Sequence, residues 1–158
     1  MTARGRGEGT DVFTPAERSA VMRKVPGKNS SAELGVRRLL TALGLRYRLH
    51  RKDLPGSPDV ALPGRKVAVF VHGCFWHGHD CRRGARAPKA NADYWSAKIA
   101  RNRARDDAAV AALTQMGWRP ITVWECELKD RAGLRARLAQ ALGVAEPAAQ
   151  AAARAPSP

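Results

Sequence analysis

The feature that most restricts how this chain can fold is a ten-residue crowd of potential metal ligands. Three of the four histidines and two of the three cysteines fall in the run His72-Gly73-Cys74-Phe75-Trp76-His77-Gly78-His79-Asp80-Cys81. The third cysteine, Cys126, directly follows the stretch Val123-Trp124-Glu125. An odd cysteine count argues against a disulfide framework and leaves metal ligation open. Strand ends in one sheet can be neighbours, so Cys126 could close a tetrahedral shell of three thiolates and one imidazole, a structural zinc set. The plainer alternative is that the cysteines are ordinary buried apolar residues. If zinc takes one histidine, two of His72, His77 and His79 stay free. A free imidazole titrates near ~6.5 and can accept a proton at physiological pH. A histidine beside an anchored loop is therefore a candidate general base, the alternative being a second metal-binding or supporting role.

Around this run the sequence patterns alternate between helix and strand. Thr14-Pro15-Ala16-Glu17 reads as a helix start with a capping box, and that helix should run to about Lys24 before Pro26-Gly27. Ser30 and Glu33 repeat the signature ahead of Leu34, Leu39, Leu40 and Leu43, with Gly44 as the stop. Leu45 to Leu49 alternates with period two, a half-buried strand. Asp59 to Leu62 is a short strand, Pro63-Gly64 a turn, and Lys66 to Val71 an apolar run suited to a central strand buried on both faces. Tyr94 to Met116 predicts a long helix, Ile121 to Trp124 a strand, and Leu134 to Leu142 a last helix. That order predicts an α/β fold, a mixed central β-sheet flanked by helices. The domain should span 13–143, between a disordered N-terminus (1–12) and a disordered Ala/Pro-rich tail (144–158).

The charge balance narrows the partner. Lys and Arg number 28 against 14 Asp and Glu, a formal net of +14, which suits a polyanion and phosphate-backbone binding. A solubility charge or an arginine bias in the genome is the bland reading. No apolar run approaches the ~20 residues that span a bilayer. The first ten residues have no apolar core of the kind a signal peptide carries, so the expected location is cytoplasmic.

Two carboxylates stand out. If the turn at Gly64 is tight, Asp59 falls roughly opposite Phe70 to His72 on the paired strand, at the mouth of the His/Cys run. A hard Mg²⁺ ion uses one or two carboxylates with phosphate oxygens and water, and can activate a phosphodiester. Turn chemistry alone also explains Pro58-Asp59. Glu33 is the second candidate, with helix capping as its alternative role. Aromatic residues are only 6% of the chain, yet Phe75 and Trp76 lie inside the polar run and Tyr94-Trp95 follows it. On a basic protein they suit insertion between bases, and otherwise a small core over the zinc loop.

Taken together, several blocks resemble the very-short-patch repair (Vsr) endonuclease family in order and spacing. They are Arg18-Ser19 with Met22, Arg46-Tyr47-Arg48-Leu49-His50, Leu54-Pro55-Gly56-Ser57-Pro58-Asp59, Val71 to His79, Tyr94-Trp95, and Gly117-Trp118 with Val123 to Cys126. The resemblance covers about residues 11 to 130. It implies a restriction-endonuclease-like fold with a structural zinc. It implies a DNA mismatch endonuclease that nicks the strand 5′ of the mispaired T in T·G mismatches left by deamination of 5-methylcytosine. It further implies catalytic Asp59, His77, Glu33 and His72, with Mg²⁺ held by Asp59 and by the backbone carbonyl of Val71, which stands where the best-known member has threonine. Zinc ligands fall on Cys74, His79, Cys81 and Cys126. Wedge residues fall on Met22, Phe75, Trp76 and Trp95. The implied partner is double-stranded DNA with a T·G mismatch, bound by a monomer, alongside a mismatch-repair matchmaker protein and a cytosine methyltransferase system. Two alternatives remain: a nicking or restriction-associated nuclease without mismatch preference, and a zinc-stabilised DNA-binding module without catalysis.

Overall fold

A computed structural model describes residues 14, 16–17, 29–86 and 88–147. The expected N-terminal segment 1–12, most of the first expected helix, Met22 and the tail beyond 147 lie outside the described residues. Of that first helix, the reciprocal cap is in place: Thr14 N donates to Glu17 Oε2 at 2.7 Å and Glu17 N to Thr14 Oγ1 at 3.3 Å.

Helix α1 spans Ser31–Ala42 and starts where Ser30 Oγ accepts from the Glu33 amide at 3.2 Å. Strand β1 is Arg48–Leu49, β2 is Val60–Leu62, and a 3₁₀ turn at Pro63–Arg65 leads into β3, Val67–His72. Helix α2, Ala92–Gln115, crosses over to β4, Arg119–Trp124. A second 3₁₀ turn, Glu125–Lys129, precedes α3, Arg131–Leu142. The sheet order is β1-β2-β3-β4, with the first two pairings antiparallel and β3–β4 parallel. A parallel pair needs a crossover of a dozen or so residues, and α2 provides it. The result is the expected mixed sheet flanked by helices.

Strand periodicity decides what faces what. Val67 and Val69 point to a core shared with Val36 and Leu40 of α1 and Leu134 and Leu138 of α3. Ala68 and Phe70 point the other way, to Ala109 and Leu113 of α2. Alternation therefore sends His72 to the α2 side. The strand expected over Leu45 to Leu49 is shorter than its pattern. Leu45 and Tyr47 do pack on the core, but only Arg48 and Leu49 find β2 partners, Ala61 and Val60. Register would bring Arg46 to Pro63, which has no N–H to donate. At the other end, Val144 still packs on the core after α3, its amide donating to Ala139 O at 3.0 Å. Among the described residues no helix is long and apolar enough to cross a membrane.

Candidate active site and metal centre

The β3–β4 register assembles the cysteines. His72 pairs with Trp124 across the parallel ladder. Cys74 and Cys126 each lie two residues beyond that pair, so both chains deliver a sulfur to the same end of the sheet. The loop after β3 then turns back on itself, with His77 N donating to Gly73 O at 3.2 Å and His79 N to Cys74 O at 2.9 Å. Arg83 ties it to the end of β4 through Glu125 at 3.0 Å. Gly84 is required for closure, because a Cβ there would stand 2.0 Å from the His79 carbonyl oxygen.

One ligand atom from each of Cys74, His79, Cys81 and Cys126 lies within 4.8 Å of the others. His79 Nδ1 and Cys126 Sγ are 3.6 Å apart. A tetrahedral zinc with bonds of ~2.0–2.3 Å has edges of roughly 3.3–3.8 Å, so the spacing fits that ion. The thiols differ before any metal acts. The Gly84 amide, 3.4 Å from Cys81 Sγ, and then His79 pull the Cys81 thiol down to about 6. Burial pushes Cys74 up to about 12 and also raises Cys126. His79 stacks on Trp124 with centroids 4.3 Å apart, which fixes the imidazole plane.

The remaining two histidines of the run form a separate group. His72 and His77 stack face to face, 3.8 Å between centroids and 3° between planes. Asp106 of α2 reaches both: its Oδ2 lies 2.5 Å from His77 Nδ1 and its Oδ1 lies 3.8 Å from His72 Nε2. A carboxylate only accepts, so Nδ1 of His77 carries a proton, and in the neutral ring it is Nε2 that offers the lone pair. Burial, and then the neighbouring His77, hold the His72 imidazole down at about 4, so it is neutral at physiological pH.

Asp59 sits just before β2, opposite the end of β3 as its position in the hairpin requires. Its Oδ2 accepts from the Val71 amide at 2.7 Å. Burial raises its carboxyl above the usual range, the Val71 bond opposes this, and nearby Glu33 adds to it. Glu33 is itself buried at the start of α1, held by the Asn29 amide at 2.9 Å, by Arg37, and by His50 at 3.0 Å. Two carboxylates and one imidazole nitrogen thus fall within 4.8 Å of one another. Two carboxylates and an imidazole at that spacing fit a divalent cation, which would offset the burial and the Glu33 charge that disfavour ionised Asp59, while of the two carboxylates Arg37 pairs only with Glu33. Asp59, Val71, His72, His77 and Asp106 line a common cleft of ≈ 750 Å³, with Arg105 on its wall.

Phe75, Trp76 and Trp95 meet edge to face, with centroids 5.1–5.7 Å apart, and Lys98 stands 5.3 Å above Trp76. Asn102 of α2 holds the Trp76 carbonyl at 2.8 Å, and Arg105 holds Asn102. All three rings are half-buried against each other. Met22 lies outside the described residues.

Asp106, Asn102, His50 and Arg37 have places here that the sequence reading did not give them. Asp106 lies 29 residues from His77 in a stretch of mixed charge, where nothing singles out one carboxylate. Its position follows from which face of α2 meets β3, a tertiary fact.

Residues 10–83 match the family model for the DNA mismatch endonuclease Vsr. The chain is 54% identical over 129 residues to the type II nicking enzyme V.XorIIP of Xanthomonas oryzae pv. oryzae, covering 82% of this chain and 94% of that one. It is 37% identical over 121 residues to the DNA mismatch endonuclease Vsr of Escherichia coli K12, covering 77% of each. The catalytic domain of the homing endonuclease I-Bth0305I superposes with a TM-score of 0.48 at 19% identity, over 72% of this chain and 94% of that one.

Proposed function

Because the chain belongs to the Vsr family of DNA mismatch endonucleases, we propose that it nicks duplex DNA 5′ of the mispaired T in a T·G mismatch arising from 5-methylcytosine deamination. The observation that carries this reading is the meeting of Asp59, His72 and the His77–Asp106 pair in one cleft beside the Cys/His cluster. A module that only binds DNA has no need of a buried carboxylate and an oriented histidine in one cavity.

In this reading Asp59, the Val71 carbonyl and Glu33 hold Mg²⁺, and Cys74, His79, Cys81 and Cys126 hold a structural zinc. Mg²⁺, when bound, polarises the scissile phosphodiester. His77 takes a proton from the attacking water at Nε2, the nitrogen that Asp106 leaves bare. His72, stacked on His77 and neutral, holds the ring plane without adding a competing charge. Arg103 and Arg105 beside the cleft favour the phosphate backbone.

Asp106 has a measurable consequence. Asp106→Asn should lower kcat roughly 10²-fold or more, because the histidine loses the partner that sets its tautomer and steadies its charged form. Affinity for duplex should stay within about twofold, since the phosphate-binding surface is intact. Single-turnover cleavage together with a binding titration separates these outcomes. A loss confined to affinity would contradict the role.

The aromatic group supplies mismatch selectivity in this account. Separating stacked bases costs a few kcal/mol, roughly, and less at a mispaired step. A loop pinned by its cysteines and by Asn102 loses little ordering entropy on insertion. Trp76→Ala should therefore weaken binding to T·G duplex about tenfold or more, and to paired duplex much less. Equal losses on both duplexes would contradict the wedge.

A second reading, nicking without mismatch preference, draws on the 54% identity to a protein named as a type II nicking enzyme. Incubation with fully paired supercoiled plasmid distinguishes the two. The mismatch reading expects the plasmid to stay closed under conditions that cut a T·G duplex to completion.

A further inference from the structure

Between α1 and the start of β2 lies a donor group of which the mechanism above uses only part. His50 follows β1, and its amide donates to the Asp59 carbonyl at 3.2 Å, which fixes the two residues side by side. His50 Nε2 stands 3.0 Å from Glu33 Oε1, and Glu33, His50 and Asp59 each offer a ligand atom within 4.8 Å of the other two. Arg37, one turn along α1 from Glu33, already brings positive charge to this group. Its guanidinium bonds Glu33 Oε1, lies 3.1 Å from His50 Nε2, and reaches Asn29 Oδ1 at 2.8 Å. His50 Nε2 can donate to Glu33 when it carries a proton, or accept from the Arg37 guanidinium when the proton sits on Nδ1; the second tautomer turns its lone pair toward the group. An imidazole nitrogen and a carboxylate oxygen thus both meet one guanidinium, with a second carboxylate beside them. In a six-coordinate ion with bonds of ~2.1 Å, adjacent ligands are about 3.0 Å apart, which is the His50–Glu33 spacing.

We infer that His50 is a third protein ligand of the divalent cation held by Asp59 and Glu33, and that it shifts the preference of that site from Mg²⁺ toward Mn²⁺. The inference rests on the metal reading of the cleft given above. Magnesium is a hard ion that keeps oxygen ligands and water, whereas nitrogen ligands suit the transition metals, and Mn²⁺ accepts both. Arg37 is the stand-in that the ion displaces. Its Nη2 also bonds the amide oxygen of Asn29 at 2.8 Å, a neutral partner it can keep when it swings away from His50.

The test uses the full chain, loaded with zinc and bound to a fully paired duplex, titrated with Mn²⁺ and followed by electron paramagnetic resonance. Mg²⁺ affinity is read by competition. The wild type should show nitrogen coupling to bound Mn²⁺. His50→Gln should lose that coupling and bind Mn²⁺ about tenfold more weakly or worse, with Mg²⁺ affinity within about twofold. His50→Asn serves as the variant if the glutamine form does not fold. Absence of nitrogen coupling in the wild type overturns the inference with no variant needed. If either His50 variant binds Mn²⁺ like the wild type while Asp59→Asn does not, His50 is not a ligand and the metal reading stands. A wild type that binds neither ion overturns both.

Discussion

Asp59→Asn should reduce strand cleavage by about 10³-fold or more, the loss expected when several kcal/mol of metal-borne stabilisation is removed from the transition state. The same change should leave folding intact. Asparagine keeps an oxygen to accept the Val71 amide now bonded at 2.7 Å, and it removes a carboxylate that burial and Glu33 disfavour. The sign follows from the direction of that shift. A carboxyl whose folded pKa is raised binds its proton more tightly in the folded state, so above that pKa it destabilises the metal-free protein. Its penalty fades as pH falls toward the unfolded value near ~3.9. Without metal, Asp59→Asn should therefore melt at the same temperature as the parent at neutral pH, or higher. Affinity for duplex should change by less than about threefold, because the basic surface is untouched. Cleavage, melting and binding measured on one preparation check all three. Cleavage near the parental rate would remove Asp59 from the mechanism.

Cys126→Ala should have the largest effect on stability. Cys126 is the one cysteine contributed from the β4 end, so it ties the loop after β3 to the far side of the parallel pair. Structural zinc in small domains contributes on the order of 10–16 kcal/mol of apparent binding free energy, comparable with the whole ~5–15 kcal/mol stability of a domain. Losing one of four ligands should remove zinc from the purified protein and lower Tm by roughly 10 °C or more. A strong chelator should do the same to the parent chain. Elemental analysis and thermal melting provide the check. An alanine variant that retains one zinc per chain and its melting temperature would show that the cluster is packing alone.

Much of this arrangement could be read from the chain because it rests on short-range rules. An apolar run over Lys66 to Val71 marked the central strand, seen as Val67–His72. A tight turn near Gly64 placed Asp59 beside the end of that strand. Two cysteines in one run, Cys74 and Cys81, left Cys126 as the available third thiolate, and parallel register explains how it arrives; which histidine joins them came only from the family resemblance, which pointed to His79. The sequence was silent where position depends on which helix face meets the sheet. Asp106 is one of two adjacent aspartates among arginines, and only the packing of α2 on Ala68 and Phe70 turns it toward His77. His50 belonged to a recognisable block, yet its approach to Glu33 depends on how α1 lies across the sheet. Glu33 showed a capping pattern, and the structure adds burial and ion pairing that a cap does not require.

The central claim is that one cleft cuts one strand and does so because a T·G pair is present. The direct measurement is cleavage of end-labelled duplexes that are identical except at one position, carrying T·G, T·A or C·G, with each strand labelled in turn. The account predicts a single cut 5′ of the mispaired T, an intact opposite strand, and paired duplexes cleaved at least about 10²-fold more slowly, the discrimination that about 3 kcal/mol of difference in opening cost provides. Equal cutting of the T·G and T·A duplexes, or cutting of both strands at the same site, would contradict it.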